Sequence, residues 1–286
     1  MQPFPDMRIM AGQYIKGKKI VDPLWQQFLE DVKAGEMEVP GGVTAAEYEN
    51  MAVRPDAFGV VSIPFQQRMR KQVAKALKEY RISEGEEHET VTELLKAHGE
   101  FCKATGAVKW KRIHNVLAYR YADSNILTNR MIARKLGKCK EEIDNDLMQG
   151  QRDMVILCCG YAAIGDYGED AYDITDRIIH KYKLLTAADR IDVSGIFSDE
   201  IGALVRKCKA ESNELMKCFH TAARLYKAYC KGYGAVEMRR LDSLESRFIK
   251  GNRSAPEMAK KHFVSLSTIQ NDHRMNVKRL SEIMFI

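Results

Sequence analysis

The stretch Ser254-Ala-Pro-Glu257-Met-Ala-Lys-Lys-His-Phe-Val-Ser265-Leu-Ser-Thr-Ile269-Gln-Asn-Asp-His-Arg274 decides how the chain is read. A serine followed three places later by glutamate forms a capping box, and Pro256 sits in the first turn, where a missing N–H costs nothing. Met258, Ala259 and Phe263 give a short helix its apolar side. Ser265 caps a second helix whose apolar positions are Ile269, Val277, Leu280 and Met284, with His273 or the stem of Arg274. The opposite face carries Ser267, Thr268, Gln270, Asn271, Arg274, Lys278 and Arg279. These are side chains that donate to base edges and phosphates. Two helices joined by a tight turn, the second one polar on its outer face, is the layout of a helix-turn-helix with its recognition helix second.

The pattern occurs twice. Ile132-Ala-Arg-Lys-Leu-Gly-Lys-Cys139 aligns with Met258-Ala-Lys-Lys-His-Phe-Val-Ser265, and Ile143-Asp-Asn-Asp146 with Ile269-Gln-Asn-Asp272. Upstream, Cys102-Lys-Ala-Thr-Gly-Ala-Val108 matches Cys230-Lys-Gly-Tyr-Gly-Ala-Val236, and Arg120-Tyr121 matches Arg247-Phe248. Two copies are too few for a solenoid and describe a duplicated module.

Leu244-Glu-Ser-Arg-Phe248, Met258-Ala-Lys-Lys261, Ser265-Leu-Ser-Thr-Ile269 and Val277-Lys-Arg-Leu280 together resemble the region 4 helix-turn-helix of bacterial sigma factors. They are most similar to the small phage regulators of the ArpU type. The resemblance spans about fifty residues of the C-terminal copy and, more weakly, about fifty of the first. It implies an all-α fold and control of transcription through double-stranded DNA.

The rest of the chain agrees with a helical protein in a reducing cytoplasm. Seven cysteines, an odd number without CxxC or zinc spacing, read as free thiols. No apolar run reaches the roughly 18 residues that cross a bilayer, and no signal peptide begins the chain. The net charge of +6 is mildly basic. No phosphate loop, dinucleotide fingerprint or nucleophile motif accompanies the seven histidines, so neither an enzyme nor a cofactor is expected.

In chain order, residues 1–65 form an arm punctuated by six of the seven prolines. One helix is expected over 23–34, with Leu24, Trp25, Phe28 and Val32 on one face, and the arm is expected to lie on the first module. Arg8, Lys16, Lys18 and Lys19 give it an alternative role in contacting operator or partner, and Val60, Val61 and Ile63 suggest a short extended piece. Residues 66–159 form the first helical module. Its opening helix carries a basic face of Arg68, Arg70, Lys71, Lys75 and Lys78 that is either solvated or touches phosphate.

Residues 160–197 are an acidic connector with one amphipathic helix through Ile174, Ile178, Ile179, Tyr182 and Leu185. The run Asp166, Glu169, Asp170, Asp173, Asp176 misses the calcium-loop pattern, so no metal is expected there. Residues 198–286 comprise a long helix capped by Ser198 and the C-terminal helix-turn-helix. The stripe from Ile201 to Cys230 leaves three readings open: a dimerisation or spacer helix, core packing, or a break near Ala210.

Residues 109–159 and 237–286 each hold ten basic and six acidic residues. In the first copy, however, Glu141, Glu142, Asp144 and Asp146 crowd the start of the second helix, which suits its dipole and would repel phosphates. Base reading is therefore assigned to the second copy: Gln270, Asn271 and Arg274 on bases, Ser267 and Thr268 at the edge, and Lys260, Lys261, Lys278 and Arg279 on phosphates. A dimer on two half-sites is the expected mechanism, with the first copy a dimer surface or a contact for RNA polymerase. The competing expectation is a protein-interaction factor that uses both modules as a scaffold on RNA polymerase or another nucleoprotein machine.

Overall fold

The computed structural model describes residues 22–34, 63–105, 108–123, 125, 127–165, 170–193, 195–197 and 199–285. Arg8, Lys16, Lys18, Lys19, Val60, Val61, Asp166, Glu169 and Ser198 lie outside them. The fold is all-α. Among the described residues there are eleven α-helices and no strand. They are α1 (Pro23–Lys33), α2 (Ile63–Glu79), α3 (Glu86–Thr105), α4 (Val108–Leu117), α5 (Asn129–Leu136), α6 (Lys140–Cys159), α7 (Ala171–Ala188), α8 (Asp199–Gly232), α9 (Ala235–Leu244), α10 (Ala255–Lys261) and α11 (Leu266–Met284). Ile63 belongs to α2 and is helical, not extended.

The chain is built from one five-helix unit used twice, α2–α6 and α7–α11. In the first unit α2 touches α3 and α6, α3 touches α4 and α6, α4 touches α6, and α5 touches α6. Each of these contacts has its counterpart among α7, α8, α9, α10 and α11. The duplication therefore reaches further than the residue matches. The acidic segment expected to connect the modules contains α7, the opening helix of the second unit, which packs on α6, α8 and α11. Its buried face is Ile174, Ile178, Ile179, Leu184 and Leu185.

Details repeat as well. Both units turn through a π-helical segment, Ala118–Ala122 and Glu245–Ile249, before the short helix. Both close a small satellite core with corresponding residues: Ile132, Ala133 and Ile143 in one, and Met258, Ala259 and Ile269 in the other. Both pin the first helix of the trihelical part to the last with a bidentate ion pair. Arg112 holds Asp146 (Nη2–Oδ1 3.1 Å), and Arg239 holds Asp272 (Nε–Oδ2 2.7 Å, Nη2–Oδ1 2.9 Å). A planar guanidinium fits a carboxylate through two parallel hydrogen bonds, which fixes both distance and angle between the helices.

The main core runs through both units without interruption, and α8 crosses it as one unbroken helix of 34 residues, about 50 Å at 1.5 Å per residue. Its stripe of Val205, Cys208, Leu215, Phe219, Ala222, Tyr226 and Cys230 is spent on this core. At the end of α6, Gly160 takes a positive φ of 64°. A Cβ there would sit 2.2 Å from Ser212 Oγ, whose hydroxyl accepts from Tyr161 N–H. Only glycine lets α6 and α8 approach this closely.

Helix α1 lies on the second unit, not on the first as expected. Trp25 and Phe28 are fully buried against Tyr229, with ring centroids 4.7 and 5.0 Å away, and Trp25 Nε1 donates to Glu282 (2.7 Å). Leu24, expected on the buried face, is 56% exposed. The reason is Arg279: its guanidinium stacks 4.3 Å over the Trp25 ring and its Nη2 donates to Asp22 (2.6 Å). Aromatic stacking plus a charge pair makes a dock that an apolar face alone does not provide.

Candidate nucleic-acid interface on the second trihelical unit

Helix α10 begins at the capping box expected of it. Ser254 accepts from Glu257 N–H, and the Glu257 carboxylate accepts from Ser254 N–H (2.6 Å). Those hydrogen bonds to its ionised form hold Glu257 below the usual carboxylate range. Ser265 caps α11 by accepting from Thr268 N–H (3.1 Å). Between the helices the chain reverses at Phe263, whose φ is +53°; it lies past the end of α10 and is 96% exposed, so Val264 and not Phe263 packs with Met258 and Ala259. Phe263 is the one non-glycine residue with positive φ among the described residues, and it stands where Gly137 (φ +62°) ends α5.

On α11, Ser267, Gln270, Asn271, Arg274 and Lys278 form one exposed row. Its ends are eleven positions apart, about 16 Å along the axis. Gln270, Asn271 and Arg274 make no side-chain hydrogen bond within the described residues. Ser267 and Thr268 are engaged with each other's neighbour: the Ser265 hydroxyl lies 2.7 Å from Ser267 Oγ and 2.8 Å from Thr268 Oγ1. Lys260 is exposed on α10, while Lys261 is drawn to Asp242 (2.5 Å). Lys278 reaches Glu282 at 3.8 Å.

Arg279 does not belong to the exposed row. It was expected on phosphate, but it is 4% exposed and committed to Asp22 and Trp25. At 100° per residue it lies about 140° around the axis from Arg274, while Lys278 lies about 40° from it. The helical angle alone separates the two.

The first unit presents a different row at the matching positions. Leu266, Ser267, Gln270, Asn271 and Arg274 correspond to Lys140, Glu141, Asp144, Asn145 and Met148. Asp146 does not face outward. It is 3% exposed and is the internal partner of Arg112, as Asp272 is of Arg239. Asp144 is paired with Lys140 (2.8 Å) and Asn129 (2.6 Å), whose hydrogen bonds hold its carboxyl down. Glu142 closes the capping box of Cys139. The difference between the copies is therefore less a block of four acids than the exchange of Arg274 for Met148 and of Gln270 for a paired aspartate.

Beneath the row, α11 is fixed to α7 by a cluster that sequence order hides. Asp176 Oδ1 lies 2.8 Å from His273 Nε2 and 3.6 Å from His180 Nε2, and the two imidazole centroids are 5.1 Å apart beside Phe248. The His273 hydrogen bond holds Asp176 below its ordinary range, and burial pushes His180 down. Asp176, His180 and His273 are the residues that could hold a divalent cation, since their ligand atoms all lie within 4.8 Å. The charges of Arg177, Arg247 and Lys181, which act on the same groups, oppose one. The cluster's evident effect is to hold the angle of α11.

A second cluster, Cys102, His98 and Asp153, has the composition of a nucleophilic triad. Cys102 Sγ lies 3.7 Å from His98, and His98 Nε2 lies 3.6 Å from Asp153 Oδ2. All three are buried, and burial pushes the Cys102 thiol up to about 12. Buried and held protonated, the thiol packs with its two neighbours inside the first unit.

No protein-family model, no curated protein and no solved structure matches the chain. Among the described residues no helix is long and apolar enough to cross a membrane.

Proposed function

We propose that the protein is a sequence-specific DNA-binding transcription regulator of the sigma region 4-like kind, of phage or prophage origin, that reads double-stranded DNA with α11. The observation that carries this reading is the row Gln270, Asn271 and Arg274. Three side chains able to read base edges stand exposed and unpartnered on one face of a capped helix, behind a tight turn and locked from below by Asp272 and Asp176. Asn pairs with adenine and Arg with guanine through two hydrogen bonds each. Lys260, Lys261 and Lys278 flank the row as phosphate contacts, and Ser267 and Thr268 lie at its N-terminal edge. The chain acts as a dimer on two half-sites, the first unit having given up base reading.

The test is a salt-titrated anisotropy measurement on DNA flanking the protein's own gene. Wild type should bind with log K falling linearly against log salt, and Arg274→Ala should cost about 1–3 kcal/mol and relax specificity at one base pair. Equal binding of the Asn271→Ala/Arg274→Ala variant would refute the assignment.

A second reading, a scaffold on RNA polymerase or another nucleoprotein machine, is favoured by exposed apolar side chains on the outer surfaces of both trihelical parts. Met131 and Met148 are 47% and 49% exposed, and Phe263 is 96% exposed. Capture of polymerase by a chain that shows no salt-dependent DNA binding would select it.

A further inference from the structure

Where the two five-helix units meet there is a cleft of about 350 Å³ lined from both sides by cations. Helix α2 contributes Arg70, α6 contributes Arg152, and α7 contributes Arg177 and Lys181. The floor is apolar, made by Val155, Ile156 and Ile164 among others. Among the described residues Asp176 is the one carboxylate in the lining, and it is already engaged by His273. Lys181 is tied to Asp153 (3.4 Å), and Arg177 donates to the Ile164 carbonyl (2.7 Å) at the cleft wall. Arg70 and Arg152 make no hydrogen bond or ion pair within the described residues.

We infer that this cleft binds a phosphate group, with Arg70 and Arg152 as its two guanidinium clamps and Arg177 and Lys181 as the positive wall behind them. Two arginines brought together from different helices, with no carboxylate among the described residues between them, repel each other. Arg70 is depressed by burial and then by Arg152. An anion seated between them turns that repulsion into attraction. The guanidinium fork matches phosphate oxygens in pairs, and with Asp153 set against Lys181, Arg70 and Arg152 remain the cations of the cleft that no carboxylate among the described residues pairs with. Position gives the cleft a consequence. α7 offers Lys181 and Arg177 to the cleft, and through Asp176 it holds His273 of α11. A phosphate there draws on the same helix that sets the angle of the exposed row.

The phosphate chemistry has two sources, a free phosphoester or the backbone of bound DNA. Only the second rests on the regulatory reading above. The experiment uses the full chain and three variants: Arg70→Gln/Arg152→Gln, Arg152→Gln alone, and Arg274→Ala. Arg152 is exposed at the rim, so its single replacement stays informative if the double variant folds poorly, which circular dichroism would show. Pyrophosphate binding is followed by calorimetry and DNA binding by anisotropy.

A free-ligand site is established if the double variant loses at least tenfold in pyrophosphate affinity, Arg152→Gln loses a smaller part, and Arg274→Ala leaves it unchanged. A backbone site is established if pyrophosphate is ignored but the double variant loses at least tenfold in DNA affinity, with a salt slope shallower by about 2. The inference is overturned if the variants bind both ligands as wild type does, or if wild type binds neither. Wild-type DNA binding that is insensitive to Arg70 and Arg152, with no pyrophosphate binding, sinks the cleft and leaves the α11 reading intact. Pyrophosphate binding without DNA binding does the reverse.

Discussion

Phe263 pays twice for its position, and that makes replacing it by glycine an informative perturbation. Its backbone is held at φ +53° and its ring is 96% exposed, so it gains nothing from burial in the free protein. A side chain in the left-handed region costs roughly 1–2 kcal/mol. Glycine removes that strain but gives the unfolded chain more freedom, which takes back about 0.5–1 kcal/mol. Phe263→Gly should therefore stabilise the protein by about 0.5–1 kcal/mol, a rise of roughly 2 °C for a chain of this size. The first unit supplies the reciprocal control. At Gly137 an added Cβ would meet nothing within 4 Å, so Gly137→Ala isolates the backbone cost and should destabilise by about 1 kcal/mol. Urea titration followed by circular dichroism measures both, with unchanged m-values as the check on the comparison. A destabilised Phe263→Gly, or a stabilised Gly137→Ala, would refute the strain argument and mean that the ring holds the turn through packing. A stabilised Phe263→Gly that also weakens DNA or partner binding would show why a strained aromatic is kept at the turn.

Other outcomes follow from the same structure. Arg239→Ala strands a carboxylate that is 1% exposed and should cost about 3 kcal/mol, limited because Arg240 Nε remains 3.6 Å from Asp272; urea unfolding measures it, and Arg239→Lys, which cannot form two parallel bonds, should restore little. Native alkylation should label Cys139 first among the seven thiols, because it is exposed while burial pushes Cys102, Cys158 and Cys230 each up to about 12; peptide mapping reads this, and rapid labelling of Cys158 would contradict it. Asp176 is held below its ordinary pKa, so its contribution is complete above the usual carboxylate range and is lost as pH falls through its folded value. His180, depressed by burial, resists protonation and acts in the same direction from higher pH. In the carboxylate range the melting temperature should therefore fall less steeply in Asp176→Asn than in wild type, while in the histidine range, where Asp176's charge raises His180, the variant should fall at least as steeply; equal slopes in the carboxylate range would remove the cluster from the account.

What could be read in the sequence was local. The caps at Ser254 and Ser265 depend on neighbours within four residues, and both appear where expected, whereas Phe263, read as part of the short helix's apolar side, lies past its end and is exposed at the turn. The duplication was visible where residue identities persist, from Cys102 and Cys230 onward. It was invisible at α2 and α7, which share a packing role without sharing side chains. Partners distant in the chain were out of reach. The helical angle already turns Arg279 away from the exposed row, but its partners Asp22 and Trp25, more than 250 positions away, do not show until the chain is folded. Asp176 and His273 are separated by 97 positions. The cleft needs three helices from two units before Arg70 and Arg152 can be seen together, although the basic face of α2 gave its first half.

The placement of α1 also provides an optical tool. The chain has two tryptophans, and each reports on a different joint. Trp25 is 1% exposed beneath Arg279, so its emission follows docking of the N-terminal helix on α11. Trp110 stands edge-on to Phe101 and 5.6 Å from Lys181, which belongs to the other unit, so its emission follows the seam between the halves. With Trp110→Phe or Trp25→Phe as single-emitter proteins, release of the arm and parting of the units become separate fluorescence signals. The order in which the molecule comes apart can then be timed directly.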